Sequence, residues 1–127
     1  MSSPQIEEFS KKLIEYVRDS AIRNCDTRLH PDARDPVAKR WREAISKGSP
    51  ETLARVMIPD IVDSTLAQLC RAIDQELLQL SFTASDGKST NLPADGGGEL
   101  CGWYMGSDGW RAKYSKERFV DDFSDLK

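Results

Sequence analysis

A chain of 127 residues with 39% hydrophobic and 31% charged side chains has the size and balance of one globular domain spanning 1–127, large enough to build a core without disulfide or metal staples. Its net charge of −3, from 18 basic against 21 acidic residues, supplies no field for a phosphate backbone and excludes nucleic acid as a general partner. No apolar run reaches the ~18 residues of a bilayer span, the N-terminus lacks a secretory signal, and the three cysteines, Cys25, Cys70 and Cys101, are widely spaced and odd in number. These features predict a cytoplasmic protein that engages no membrane.

In chain order, Ser3 and Pro4 open a helix that runs to about Asn24. Ile6, Phe9, Leu13, Tyr16 and Val17 form its core face, and Glu7 with Lys11 and Glu8 with Lys12 pair on the solvated side. Cys25 to Arg34, with His30-Pro31-Asp32, reads as a loop. Asp35-Pro36 starts a second helix with Val37, Trp41, Ala44 and Ile45 inward and Gly48 as a left-handed stop. Ser49-Pro50 starts a short third helix that Pro59 ends, because proline has no amide and disfavours helical geometry at Ile58. A fourth helix from Pro59 to about Gln75 buries Val62, Leu66, Leu69, Cys70 and Ile73, leaving Asp60, Asp63, Arg71 and Asp74 on a solvated flank.

Beyond Gln75 the period changes. Leu78, Leu80 and Phe82 alternate with Gln79, Ser81 and Thr83 as in a half-buried strand, Asp86-Gly87 turns the chain, and Lys88 to Leu92 returns. After a loop at Pro93 to Gly98, Glu99 to Met105 and Trp110 to Tyr114 are expected to pair as a hairpin around Gly106-Ser107-Asp108-Gly109. Ser115 then caps a terminal helix carrying Phe119, Phe123 and Leu126.

Function is sought where glycine and aromatic residues concentrate, since seven of the eight glycines fall between Gly87 and Gly109. Neither glycine cluster fits a phosphate loop: Phe82 stands where the leading glycine before Gly87-Lys88-Ser89 belongs, and Cys101 takes the third position after Gly96-Gly97-Gly98. No nucleotide cofactor is expected. His30 is the sole histidine, which removes two-histidine metal motifs, and its closeness in sequence to Cys25 fits a loop histidine better than a catalytic base. We assign no catalytic residue, no cofactor and no metal ligand. Glu99 follows three glycines and precedes two aromatics, so it suits a ligand, but a structural part is favoured for it, as a cap or as the partner of Arg111 across the hairpin.

The expected fold is α+β: an N-terminal helical layer of about four helices within 1–75, packed on a small C-terminal antiparallel sheet of three to four strands, with a short terminal helix, within 76–127. The leading functional expectation is noncovalent protein association of the immunity, inhibitor or adaptor type, with another protein or with itself. Glu99, Trp103, Tyr104, Trp110 and Arg111 are the candidate binding residues, because Trp and Tyr are enriched at interfaces. The alternative is a small-ligand-binding domain or cofactor-independent enzyme with a pocket at Gly96 to Glu99 and Asp95, Glu99 and Arg111 as its polar groups. An enzyme is the less favoured class.

Overall fold

Ser3 starts the first helix as the sequence dictates, its Oγ accepting the Ile6 amide at 3.2 Å with Pro4 at the first helical position. The computed structural model describes residues 3–123. Helix α1 (Pro4–Leu13) runs without interruption through a π-helical turn (Ile14–Asp19) into α2 (Ser20–Arg28), four residues past the expected end at Asn24. The wide turn has a packing consequence. In a plain α-helix an i,i+4 series drifts by about 40° per step and winds off its face. One π turn takes up that drift, so Leu13, Val17, Ala21 and Cys25 all remain along one groove beside Ile61. Val17 and Ala21 are buried there, whereas α1 buries none of its residues. The core face expected for Ile6 and Phe9 is exposed instead.

Helix α3 (Pro36–Lys47) buries Val37, Ala38 and Trp41. Gly48 ends it, but with φ −120° rather than a left-handed turn; a Cβ there would crowd the Thr52 side chain at 3.0 Å and the Ala44 carbonyl at 3.1 Å. Space, not handedness, requires this glycine. Helix α4 (Pro50–Asp74) is a single 25-residue element, so the expected division at Pro59 does not occur. Proline leaves the Arg55 carbonyl without its helical donor, and Arg118 Nη2 donates to that oxygen at 3.3 Å. A distant side chain repairs the ladder and the helix continues. The helix ends at Gln75, where Glu76 takes φ 61° and the amides of Leu77 and Leu78 return to the Ala72 carbonyl.

Strands β1 (Ser81–Thr83) and β2 (Ser89–Asn91) pair antiparallel with Phe82 opposite Thr90, across the expected turn in which Gly87 has φ 87°. Leu78 is fully buried and Phe82 is exposed, so the hairpin leaves the core as it extends. Helices occupy 64% of the described residues and this two-stranded pair is the sheet among them, which replaces the expected three to four strands.

The second hairpin is not formed. Glu99 to Tyr114 instead contains α6 (Leu100–Met105) and α7 (Trp110–Tyr114), preceded by α5 (Leu92–Gly96). The cause is a cap supplied from far away: the Asp74 carboxylate, at the end of α4, accepts the Leu100 and Cys101 amides at 2.9 Å each. Gly109 then permits α6 and α7 to pack, because a Cβ at that position would run into the Trp103 carbonyl. Ser115 accepts the Glu117 amide in a local turn, and no helix follows between 115 and 123. Ion pairing of Asp122 with Arg40 and a bond from Ser107 to Asp121 hold this segment extended across α3 and α6's end. Leu126, the last apolar position expected of a terminal helix, lies outside the described residues. The core gathers Val17, Cys70, Ala72, Ile73, Leu78 and Leu100, and Trp41 of α3 is fully buried.

Candidate functional site

Helix α4 sets the site through the acidic residues expected to face solvent. Asp60 is 6% exposed; its carboxylate accepts Arg40 Nη2 at 2.7 Å, Arg40 Nε at 3.2 Å and Trp41 Nε1 at 2.8 Å. Arg40 also reaches Asp122 at 2.9 Å. Burial pushes the Arg40 guanidinium down, but its bonds to Asp60 and Asp122 outweigh that and hold it above its ordinary value. The solvated-flank expectation holds for Arg71, which is exposed, and fails for Asp60, Asp63 and Asp74, whose carboxylates meet donors from elements remote in sequence.

One turn on, Asp63 accepts the Tyr104 hydroxyl at 2.7 Å on one oxygen and Arg111 Nη1 at 2.8 Å on the other. Arg111 is 6% exposed and donates twice more, to the Met105 carbonyl at 2.9 Å and the Tyr104 carbonyl at 3.3 Å, satisfying the open end of α6. Its guanidinium also lies over Phe119, 4.7 Å from the ring centroid, and 5.8 Å from that of Tyr104. Burial first, then the bond to Asp63, raises the Tyr104 pKa, so the hydroxyl stays a donor. The pairing of Arg111 with Glu99 expected across a hairpin is thereby corrected: the hairpin is absent and Asp63 is the partner.

Above this floor Trp110 meets Tyr104 edge-on at 6.5 Å and Trp103 at 6.4 Å. A groove of about 470 Å³ opens beside them, walled by Ile58, Pro59 and Val62 of α4, by Trp110 and Tyr114 of α7, and by Phe119. Tyr114 is 75% exposed, and Ile58 and Val62 are about half exposed. Lys113, Lys116 and Arg118 follow along the same stretch of chain, with Glu117 as its one acid. The walls are apolar, Arg118 at the rim is paired with Glu117 at 3.6 Å while the exposed Lys113 and Lys116 lie outside the lining, and the buried charges of the floor are paired with one another.

Of the candidate residues, Tyr104, Trp110 and Arg111 converge on this groove and Trp103 packs beside them. Glu99 does not: it is exposed just ahead of α6 and lines none of the grooves described here. Asp95 is bound to the Thr90 hydroxyl and the Asn91 amide, while Gly97 and Gly98 have φ of 59° and 76°, so Gly96 to Glu99 is a bent link between α5 and α6. Sequence reasoning missed Asp63, Ile58, Val62 and Phe119 as site residues. The available signal was an acidic residue, Asp63, directly beside Val62 in a mostly apolar helix.

A second cavity, of about 420 Å³, lies between α2, α4 and α6, with Asn24, Ser64, Gln68 and Cys101 among its lining. Asn24 donates to Ser64 at 2.9 Å, and the Asp60, Asp63 and Arg111 that border it are already bonded as above. His30 is exposed and accepts the Asp32 amide at 3.2 Å. Among the described residues no cluster of three or more His, Cys, Asp or Glu side chains could hold a metal ion, and no helix is long and apolar enough to cross a membrane. Comparison with protein-family models, with curated proteins and with solved structures yields no match.

Proposed function

We propose that the protein acts by noncovalent association, as an inhibitor or adaptor, taking an acidic amphipathic segment of a partner protein into the groove between α4, α7 and Phe119. One observation carries the reading: exposed aromatic and aliphatic walls stand over a floor whose only charges neutralise each other. Such a surface gains from burial, at roughly 1.5–3 kcal/mol for each large side chain fully covered. The acids and bases that line it, Asp63 with Arg111 and Glu117 with Arg118, are paired with each other. The exposed Lys113 and Lys116, on the stretch of chain that borders the groove, favour acid flanks on the partner and speed encounter. Helix-in-groove recognition of this kind reads apolar anchors one turn apart. The chain is taken to work as one domain in a reducing cytoplasm, which suits its three free cysteines.

The ligand-pocket reading at Gly96 to Glu99 draws less support, since Asp95 is committed to local bonds and Arg111 to Asp63. A photo-crosslinking residue at position 114, compared with one at the exposed but remote Phe82, tests the proposal. The expected result is a discrete protein adduct at 114 alone, lost in Ile58→Asp and weakened in Lys113→Glu/Lys116→Glu, with the crosslinked peptide acidic and amphipathic. Equal labelling at 82 and 114, or adducts indifferent to those substitutions, would overturn it.

A further inference from the structure

The chain that leaves α7 is fastened by side chains. Among the described residues, no backbone group of 116–123 bonds the backbone of another element. Four contacts hold it instead: Arg118 Nη2 donates to the Arg55 carbonyl at 3.3 Å, Phe119 lies under the Arg111 guanidinium, Ser107 Oγ donates to Asp121 at 3.0 Å, and Arg40 Nη1 donates to Asp122 at 2.9 Å. All of them fall between Arg118 and Asp122. With no ladder to break, the attachment of this segment is only as strong as those four contacts.

The groups it touches keep their own partners without it. Arg40 remains bidentate on Asp60, and Arg111 keeps Asp63 and the carbonyls of Met105 and Tyr104. Arg55 is exposed, so its carbonyl returns to water. Release therefore strands no buried charge, which is what makes breaking an interior ion pair costly. It does change the surface. Phe119 lines both the groove of about 470 Å³ and a neighbouring one of about 310 Å³, walled by Arg40 of α3 and by Thr52, Val56 and Pro59 of α4. With Phe119 withdrawn the two run together, and the first loses an aromatic wall.

We propose that residues 116–123 form a strap that docks and releases as one unit while the helices stay folded, with Asp122 on Arg40 as the latch that seats Phe119 in the groove wall. The opening stands on the contacts above; its bearing on partner capture rests on the groove reading. Docked, the strap completes the wall. Released, it leaves α4 and α7 alone, so apparent affinity for a partner segment follows the docked fraction. Asp122 is thereby a positioning residue for a groove that it does not line.

Fluorophenylalanine at position 119 of the full chain reports the strap by fluorine NMR, with a free peptide of 115–123 carrying the same label as the released reference. The wild-type resonance should stand away from that reference because of the Arg111 stack. Asp122→Ala should lower the docked-to-released ratio roughly tenfold or more, as loss of a hydrogen bond between charged groups implies. Ser107→Ala/Asp122→Ala should carry the resonance to the reference, with far-ultraviolet circular dichroism unchanged. Lys116 is exposed and as far from 119 in sequence as Asp122, but it holds none of the four contacts, so Lys116→Ala should leave the resonance in place. Adduct formation at position 114 should fall in Asp122→Ala. A resonance unmoved in the double variant, an equal shift in Lys116→Ala, or a shift accompanied by loss of helix signal would overturn the strap. An adduct undiminished in Asp122→Ala would overturn its bearing on capture, whereas a wild type that gives no adduct strikes the groove reading and leaves the fluorine result to decide the strap.

Discussion

Asp63 commits both carboxylate oxygens inside the molecule, one to Tyr104 and one to Arg111, and this bonding keeps a nearly buried guanidinium from disturbing the apolar groove above it. Removing one partner of such a pair is far costlier than the pair is stabilising, because the survivor is left charged and desolvated. Asp63→Ala should therefore lower stability by about 3–5 kcal/mol in urea unfolding. Loss of under 1 kcal/mol would mean that Arg111 finds water. Cys70 makes a second prediction. Burial first, then the neighbouring Cys101 and Asp74, pushes its thiol from the ordinary 9.0 up to about 11. The folded state then holds a proton that the unfolded chain releases, so this contribution is complete below pH 9 and is lost as pH rises from 9 to about 11. Melting temperature should fall across that window, and Cys70→Ala should flatten the fall. In the sequence these residues read as an ordinary cysteine and a solvated acidic flank, since nothing local announces donors that arrive 41 and 48 positions later.

At the level of elements, legibility followed the range of the deciding interaction. The starts at Ser3-Pro4, Asp35-Pro36 and Ser49-Pro50 are local chemistry and all three helices begin there. The turn at Asp86-Gly87 is equally local and was equally readable. Pro59 and the Leu100 to Met105 segment were misread because remote groups override their local preference: Arg118 supplies the donor that proline lacks, and Asp74 caps α6 from 26 residues upstream. The six residues, with one glycine and two aromatics, carry an alternation that suits a strand, and the cap from Asp74 favours helix. Asp74→Ala should accordingly cost about 1–2 kcal/mol and uncouple α6 from α4. Far-ultraviolet circular dichroism should lose helix signal, and the fluorescence of Trp103 and Trp110 should shift as their stack loosens. Unchanged spectra would show that packing alone holds α6.

At the scale of the molecule, the described residues hold a two-stranded hairpin and no broad sheet for helices to cover, so Trp103, Tyr104, Trp110 and Tyr114 are placed by helices α6 and α7 instead. That change of architecture moves the candidate surface without removing it: Trp110 and Tyr104 still converge, now with Ile58 and Val62 of α4 opposite and Asp63 beneath. Composition and periodicity could identify aromatic density, whereas the groove itself depends on α4 being unbroken at Pro59 and on Phe119 arriving in an extended segment. Binding of an acidic amphipathic segment in this groove is the proposal on which the functional reading rests. Its most direct test is calorimetric titration of the segment recovered by crosslinking at position 114, made as a free peptide, against the full chain. The account predicts saturable binding with a negative heat-capacity change, weakened by salt and abolished by Ile58→Asp. Binding that is equally tight in Ile58→Asp, or no heat and no saturation with the wild type, would contradict it.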